Sequence, residues 1–109
     1  MAATIDDLTA KAEQVSQIYA ARCDIRRDDD WFALKLQEEL GELVAEYLRV
    51  SARGRPGERS KEAMRTALED EAADVFAQLL LFCHHNGIDL EAALDRKWFR
   101  YLADAEATP

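Results

Sequence analysis

The segment Gln37–Glu46, QEELGELVAE, carries the carboxylates Glu38, Glu39, Glu42 and Glu46. A second acidic group, Glu71 and Asp74, lies in LEDEAADVFAQLL. Glu39 with Glu42, and Glu71 with Asp74, each stand three positions apart. At ~100° per residue such a pair projects only ~60° apart, so both acids share one face of a helix. Carboxylates brought together in a half-buried place raise one another's pKa, and desolvation raises it further. A hard divalent cation removes that penalty. Mg2+ takes oxygen ligands in near-octahedral geometry and keeps its remaining positions for water or phosphate oxygens. The chemistry suggested by these two acidic pairs is a Mg2+ site open to a phosphate ester.

The alternative is a solvated helix face, because glutamate is common there and one Glu-x-x-Glu means little by itself. Placement favours the site. A solvated face lies opposite the core, whereas Glu39 and Glu42 border the apolar stripe Phe32, Leu36, Leu40, Leu43 and Tyr47. Glu71 similarly adjoins the stripe Leu68, Ala72, Val75, Leu79 and Phe82. Helices packed antiparallel through those stripes can turn the two acidic pairs toward each other, at the rim of their interface.

The elements that must position them are helices. A first runs from Ile5 to about Arg22, with Thr4 as N-cap and an apolar stripe of Leu8, Ala12, Val15, Ile18 and Tyr19. Asp24–Asp29 is a charged turn, and Asp28, Asp29 or Asp30 caps a second helix that carries Trp31 to about Val50. The loop Ser51–Ser60, SARGRPGERS, is basic, and Ser60 caps a third helix ending near Asn86. Gly87 suits a left-handed C-terminal cap with Ile88 as its apolar follower, and Asp89 caps a fourth helix from Leu90 to about Ala103. The tail from about 104 to 109 is expected to fray. No strand pattern or internal repeat stands out, so the expected fold is all-α, with four to five helices in one domain over residues 1–109.

At 109 residues and 49% hydrophobic content the chain should fold, yet it is small enough that association with a second copy would help bury its apolar surface. Its 22 acidic against 14 basic residues give a net charge of −8, which argues against nucleic acid as a partner. Cys23 and Cys83 make neither a disulfide framework nor a CxxC pair, and both read as buried or neutral thiols of a reducing compartment. With no secretory signal and no apolar run long enough to span a membrane, the expected location is the cytoplasm.

Glu38-Glu39-Leu40-Gly41-Glu42 followed by Glu71-Ala72-Ala73-Asp74 resembles the EExxE…ExxD signature of the all-α nucleoside triphosphate pyrophosphohydrolases, the MazG-like superfamily. The likeness extends over roughly residues 31–98 and includes the Gly87-Ile88-Asp89-Leu90 turn. It implies a helical bundle completed by homodimerisation, in some members as a dimer of dimers. The implied activity is Mg2+-dependent hydrolysis of a nucleotide to its monophosphate and pyrophosphate, with Mn2+ able to serve. By position, Glu39, Glu42, Glu71 and Asp74 would be metal ligands and Glu38 a flanking acid that orients or activates the attacking water. Lys97 matches a phosphate-contacting position. The chain departs from many members in having no asparagine shortly after Lys97, where it reads Trp98-Phe99-Arg100. A phosphoribosyl-ATP pyrophosphohydrolase-like enzyme and a dimerisation or regulatory module without catalysis remain as alternatives within the same fold.

Other residues are less specific. Trp31 could stack a nucleotide base or simply pack, as buried tryptophans do. Arg49, Arg53, Arg55, Arg59, Lys61 and Arg65 could screen phosphate charge, but a solvated basic loop explains them as well. Adjacent His84 and His85 point to different sides of a helix and receive no role.

Overall fold

Side-chain caps set where each helix begins. Thr4 opens α1 (Ile5–Arg22) with a reciprocal capping box: its hydroxyl accepts the Asp7 N–H while the Asp7 carboxylate accepts the Thr4 N–H, both at 3.1 Å. Asp28 opens α2 (Asp29–Val50) by accepting the Trp31 N–H at 2.8 Å. Ser60 opens α3 (Lys61–His85) by accepting the Ala63 N–H. Asp89 does the same for α4 (Leu90–Leu94), which runs through a π-helical turn at Asp95–Phe99 into α5 (Arg100–Ala107). Gly87 takes φ +63°, and the Ile88 N–H reaches back to the Cys83 carbonyl at 2.9 Å, closing α3 with a left-handed cap.

The computed structural model of this 109-residue chain describes residues 2–51, 57 and 59–107, and among them there is no strand. The fold is all-α. Arg53 and Arg55 of the basic loop lie outside the described residues. At the other end, the helical backbone continues to Ala107, past the expected start of fraying.

α2 and α3 pack antiparallel. Phe32 at the start of α2 stacks on His85 at the end of α3, and Glu39 and Glu42 meet Glu71 halfway along. Phe32, Leu80, Leu81, Cys83 and Ala20 form the buried apolar core, with Phe32 only 1% exposed. α1 lies against α3. The α4–α5 arm makes few contacts with the other three helices, and the radius of gyration of 17.5 Å exceeds the about 13 Å of a compact chain this long.

The phase of two helices differs from the sequence expectation. On α1 the inward positions are Ser16 and Ala20, with Thr9 and Glu13 half-buried, while Leu8, Val15, Ile18 and Tyr19 of the expected stripe are exposed. Small and polar residues let the α1 backbone approach α3, and the bulky apolar side chains turn outward. On α2, Leu40 and Tyr47 are exposed, whereas Glu39 and Glu46 are buried. Glu46 is held by Arg49 beside it and by Arg59 from the segment before α3, at 3.2 Å, so both arginines act as counter-ions inside the chain. Of the two thiols, Cys83 is buried as expected but Cys23, at the C-cap of α1, is exposed.

Candidate metal centre

Glu39, Glu42 and Glu71 each place one carboxylate oxygen within 4.8 Å of the others, across the α2–α3 interface. The i, i+3 spacing puts Glu39 and Glu42 on adjacent turns of α2, and the antiparallel packing supplies Glu71 from α3. Of the acids, Glu39 alone sits deeper than the expected interface rim. Glu39 is 7% exposed and Glu71 half-buried, while Glu42 faces solvent. Asp74, one turn beyond Glu71, is exposed and stands outside the trio, close enough for its charge to act on both Glu39 and Glu71.

Electrostatics at this point are unfavourable without a cation. Burial, then the charges of Glu42, Asp74 and Glu39, push the Glu71 carboxyl up to about 7. Burial, with Glu42 and Asp74, also raises Glu39, against the pull of Lys35. The Lys35 ammonium lies 3.5 Å from both Glu38 and Glu39 and 5.9 Å from the Tyr19 ring centre. Desolvation works against its charge, but the two glutamates outweigh it and its pKa rises. One lysine does not satisfy the cluster. Among the described residues, Glu39 Oε2 and Glu71 Oε2 are buried without a hydrogen-bond partner, and so is Gln78 Oε1 one turn beyond Asp74. Orphaned carboxylate oxygens of this kind are costly, and an oxygen-only donor set of three or four acids fits a hard cation.

A cavity of about 460 Å³ opens beside the cluster. Glu39, Asp74 and Gln78 form one part of its wall, Trp31 and Tyr19 supply aromatic surface, and Lys11 and Lys35 supply positive charge. Trp31 packs edge-on against Phe32 with ring centres 5.1 Å apart, which fixes its plane. Cations, aromatic faces and a metal-competent acidic edge in one cavity can hold a ligand that is anionic at one end and flat at the other.

The sequence candidates thus divide. Glu39, Glu42 and Glu71 come together, Asp74 borders them, and Trp31 lines the adjoining cavity. Glu38 is about half exposed and, among the described residues, meets the site through Lys35. Lys97 sits exposed in the π-helical turn of the C-terminal arm, away from this cavity's wall. Lys35 and Gln78 were not singled out from the sequence, although each lies one helical turn from a candidate ligand, Glu39 and Asp74 respectively. No family model, curated protein or solved structure matches the chain. What the site does must therefore be inferred from its own residues.

Proposed function

We propose that the protein is a Mg2+-dependent nucleotide pyrophosphohydrolase of the MazG-like type. The observation that carries this is the pair of buried, partnerless oxygens of Glu39 and Glu71, set among further carboxylates at the edge of a cavity with aromatic and cationic walls. Glu39, Glu42, Glu71 and Asp74 would hold the ion. When bound, it supplies charge neutralisation on the phosphate oxygens and a lowered pKa for an attacking water. Glu38, which meets the site through Lys35, would be the acid to orient a water or take its proton. Lys11 and Lys35 offset phosphate charge, and the Trp31 ring stacks the base.

The functional unit in this proposal is a homodimer. Val15, Leu34, Trp98 and Leu102 are each more than 60% exposed, and the arm bearing Lys97 leaves its own bundle. Such apolar exposure supports association with a second copy. A second copy would cover these faces, and the arm could bring Lys97 to the partner's cavity, where it would contact phosphate. Among the described residues no helix is long and apolar enough to cross a membrane.

Pyrophosphate release should be assayed across ribo-, deoxyribo- and modified nucleoside triphosphates, with and without Mg2+. Turnover is expected only with the ion, and Glu42→Gln or Asp74→Asn should abolish it while leaving the helical circular dichroism intact. Wild-type rates from either variant would refute the assignment. Turnover by none of the substrates, phosphoribosyl-ATP included, would favour the non-catalytic module.

A further inference from the structure

A second set of donor atoms lies at the His84–His85 end of α3, apart from the acidic cluster. Glu13 on α1 and the adjacent His84 and His85 in the last turn of α3 place one donor atom each within 4.8 Å of one another. Glu13 Oε2 is 2.8 Å from His85 Nε2 and 3.6 Å from His84 Nε2. In a tetrahedral site with metal–ligand bonds of about 2.0–2.1 Å, neighbouring donors stand about 3.3 Å apart. The two separations bracket that edge. Neighbouring histidines on one helix cannot converge by helical spacing alone. They converge here because the third donor arrives from a different helix and the rings stand nearly perpendicular, 85° apart, with centres at 5.1 Å.

The surroundings hold these donors in place. The His85 ring is stacked on the buried Phe32 ring, with centres 4.0 Å apart and 19° between planes. Arg27 donates to the other oxygen of Glu13, Oε1, and to Ser16 Oγ, so the carboxylate is oriented and Oε2 is turned to the histidines. Ligating carboxylates typically have an outer hydrogen-bond partner of this sort. Two imidazoles and one carboxylate form a borderline donor set, suited to Zn2+, Ni2+ or Cu2+ rather than Mg2+. Side chains at the site are reachable, with His84 51% and His85 28% exposed, and His84 also lines a cavity of about 670 Å³ bounded by α1, α3 and α4.

We propose that Glu13, His84 and His85 bind one borderline divalent transition-metal ion, Zn2+ in the first instance, with a fourth coordination position left to water. The site is independent of the acidic cluster and does not depend on the nucleotide chemistry proposed above.

The test is Zn2+ titration of the full chain by calorimetry with Mg2+ in large excess, to compete for the acidic cluster. Co2+ absorption serves as the spectroscopic reading of coordination. One equivalent of Zn2+ per chain is expected, with affinity reduced at least about tenfold in His84→Ala and in His85→Ala. Binding should be unchanged in Glu42→Gln and in Cys23→Ser. The Co2+ form should show the intense visible bands of a four-coordinate ion, lost in His84→Ala. Because His85 packs on Phe32, His84→Ala decides the matter if His85→Ala fails to fold. Absence of Zn2+ uptake, uptake indifferent to His84→Ala, or uptake lost in Glu42→Gln or Cys23→Ser each overturns the proposal.

Discussion

Substituting Glu71→Gln should stabilise the ion-free protein at alkaline pH and abolish its response to Mg2+. An acid whose pKa is raised on folding binds protons more tightly in the folded chain. Its favourable contribution is therefore present at low pH and is lost as pH rises from the unfolded value toward the folded one. For Glu71 that window runs from 4.5 to about 7. At 1.36 kcal/mol per pH unit the full shift corresponds to about 3.4 kcal/mol. The cluster opens to solvent, which screens the repulsion, and about 1–2 kcal/mol is a better measure of the penalty at about pH 8. For a chain of this size that is about 5–15 °C in Tm. Melting curves of wild type and Glu71→Gln, in chelator and at one chain concentration, should coincide near about pH 4.5 and diverge by this amount near about pH 8, with the variant higher. Excess Mg2+ should close the gap by raising wild type alone. Comparing the two proteins cancels the titrating groups remote from the cluster, and the neighbouring carboxylates are relieved in the same direction. If Glu71→Gln melts below wild type at the alkaline end, the carboxylates are not repelling one another and the account of the site fails.

Other expectations are simpler to state. Phe32→Ala should cost about 3–5 kcal/mol in denaturant unfolding, because it empties the best-buried position and removes the ring under His85. Trp31→Ala should raise the KM of a nucleotide substrate about tenfold while leaving kcat nearly unchanged, the usual worth of one stacked base. Val15→Glu should shift the chain toward monomer in sedimentation or light scattering, because it sets a charge in an exposed apolar stripe. A monomeric wild-type chain would remove the basis for that expectation.

Helix starts were legible because their signals are local. Thr4, Ser60 and Asp89 cap the helices assigned to them, Asp28 is the one of three candidate aspartates that caps α2, and Gly87 takes the left-handed conformation its position requires. Helix phase was less legible. Periodicity finds an apolar stripe but does not say which surface covers it. On α1, Leu8, Val15, Ile18 and Tyr19 of the expected stripe are exposed and Ala12 is half-buried, while Ser16 and Ala20 are the buried positions. On α2 the stripe was centred too far toward Leu40 and Tyr47, and the same rotation carries Glu39 and Glu46 inward.

That rotation bears directly on how the acidic residues are understood. Placed at an interface rim, the carboxylates would be ordinary half-solvated groups with water for partners. Placed inward, two of them lose water and divide by what replaces it. Glu46 gains two arginines and becomes a structural ion pair that ties the end of α2 to the segment before α3. Glu39, two turns earlier on the same face, gains one lysine at 3.5 Å and three other carboxylates, and keeps a partnerless oxygen. Burial alone therefore does not single out the site, since both glutamates are buried to a similar degree. What distinguishes Glu39 is the excess of negative charge over its one lysine, and that depends on Glu71 and Asp74 arriving from another helix. The i, i+3 spacings were visible in the chain, whereas the imbalance of charge around them exists only once α3 is folded against α2.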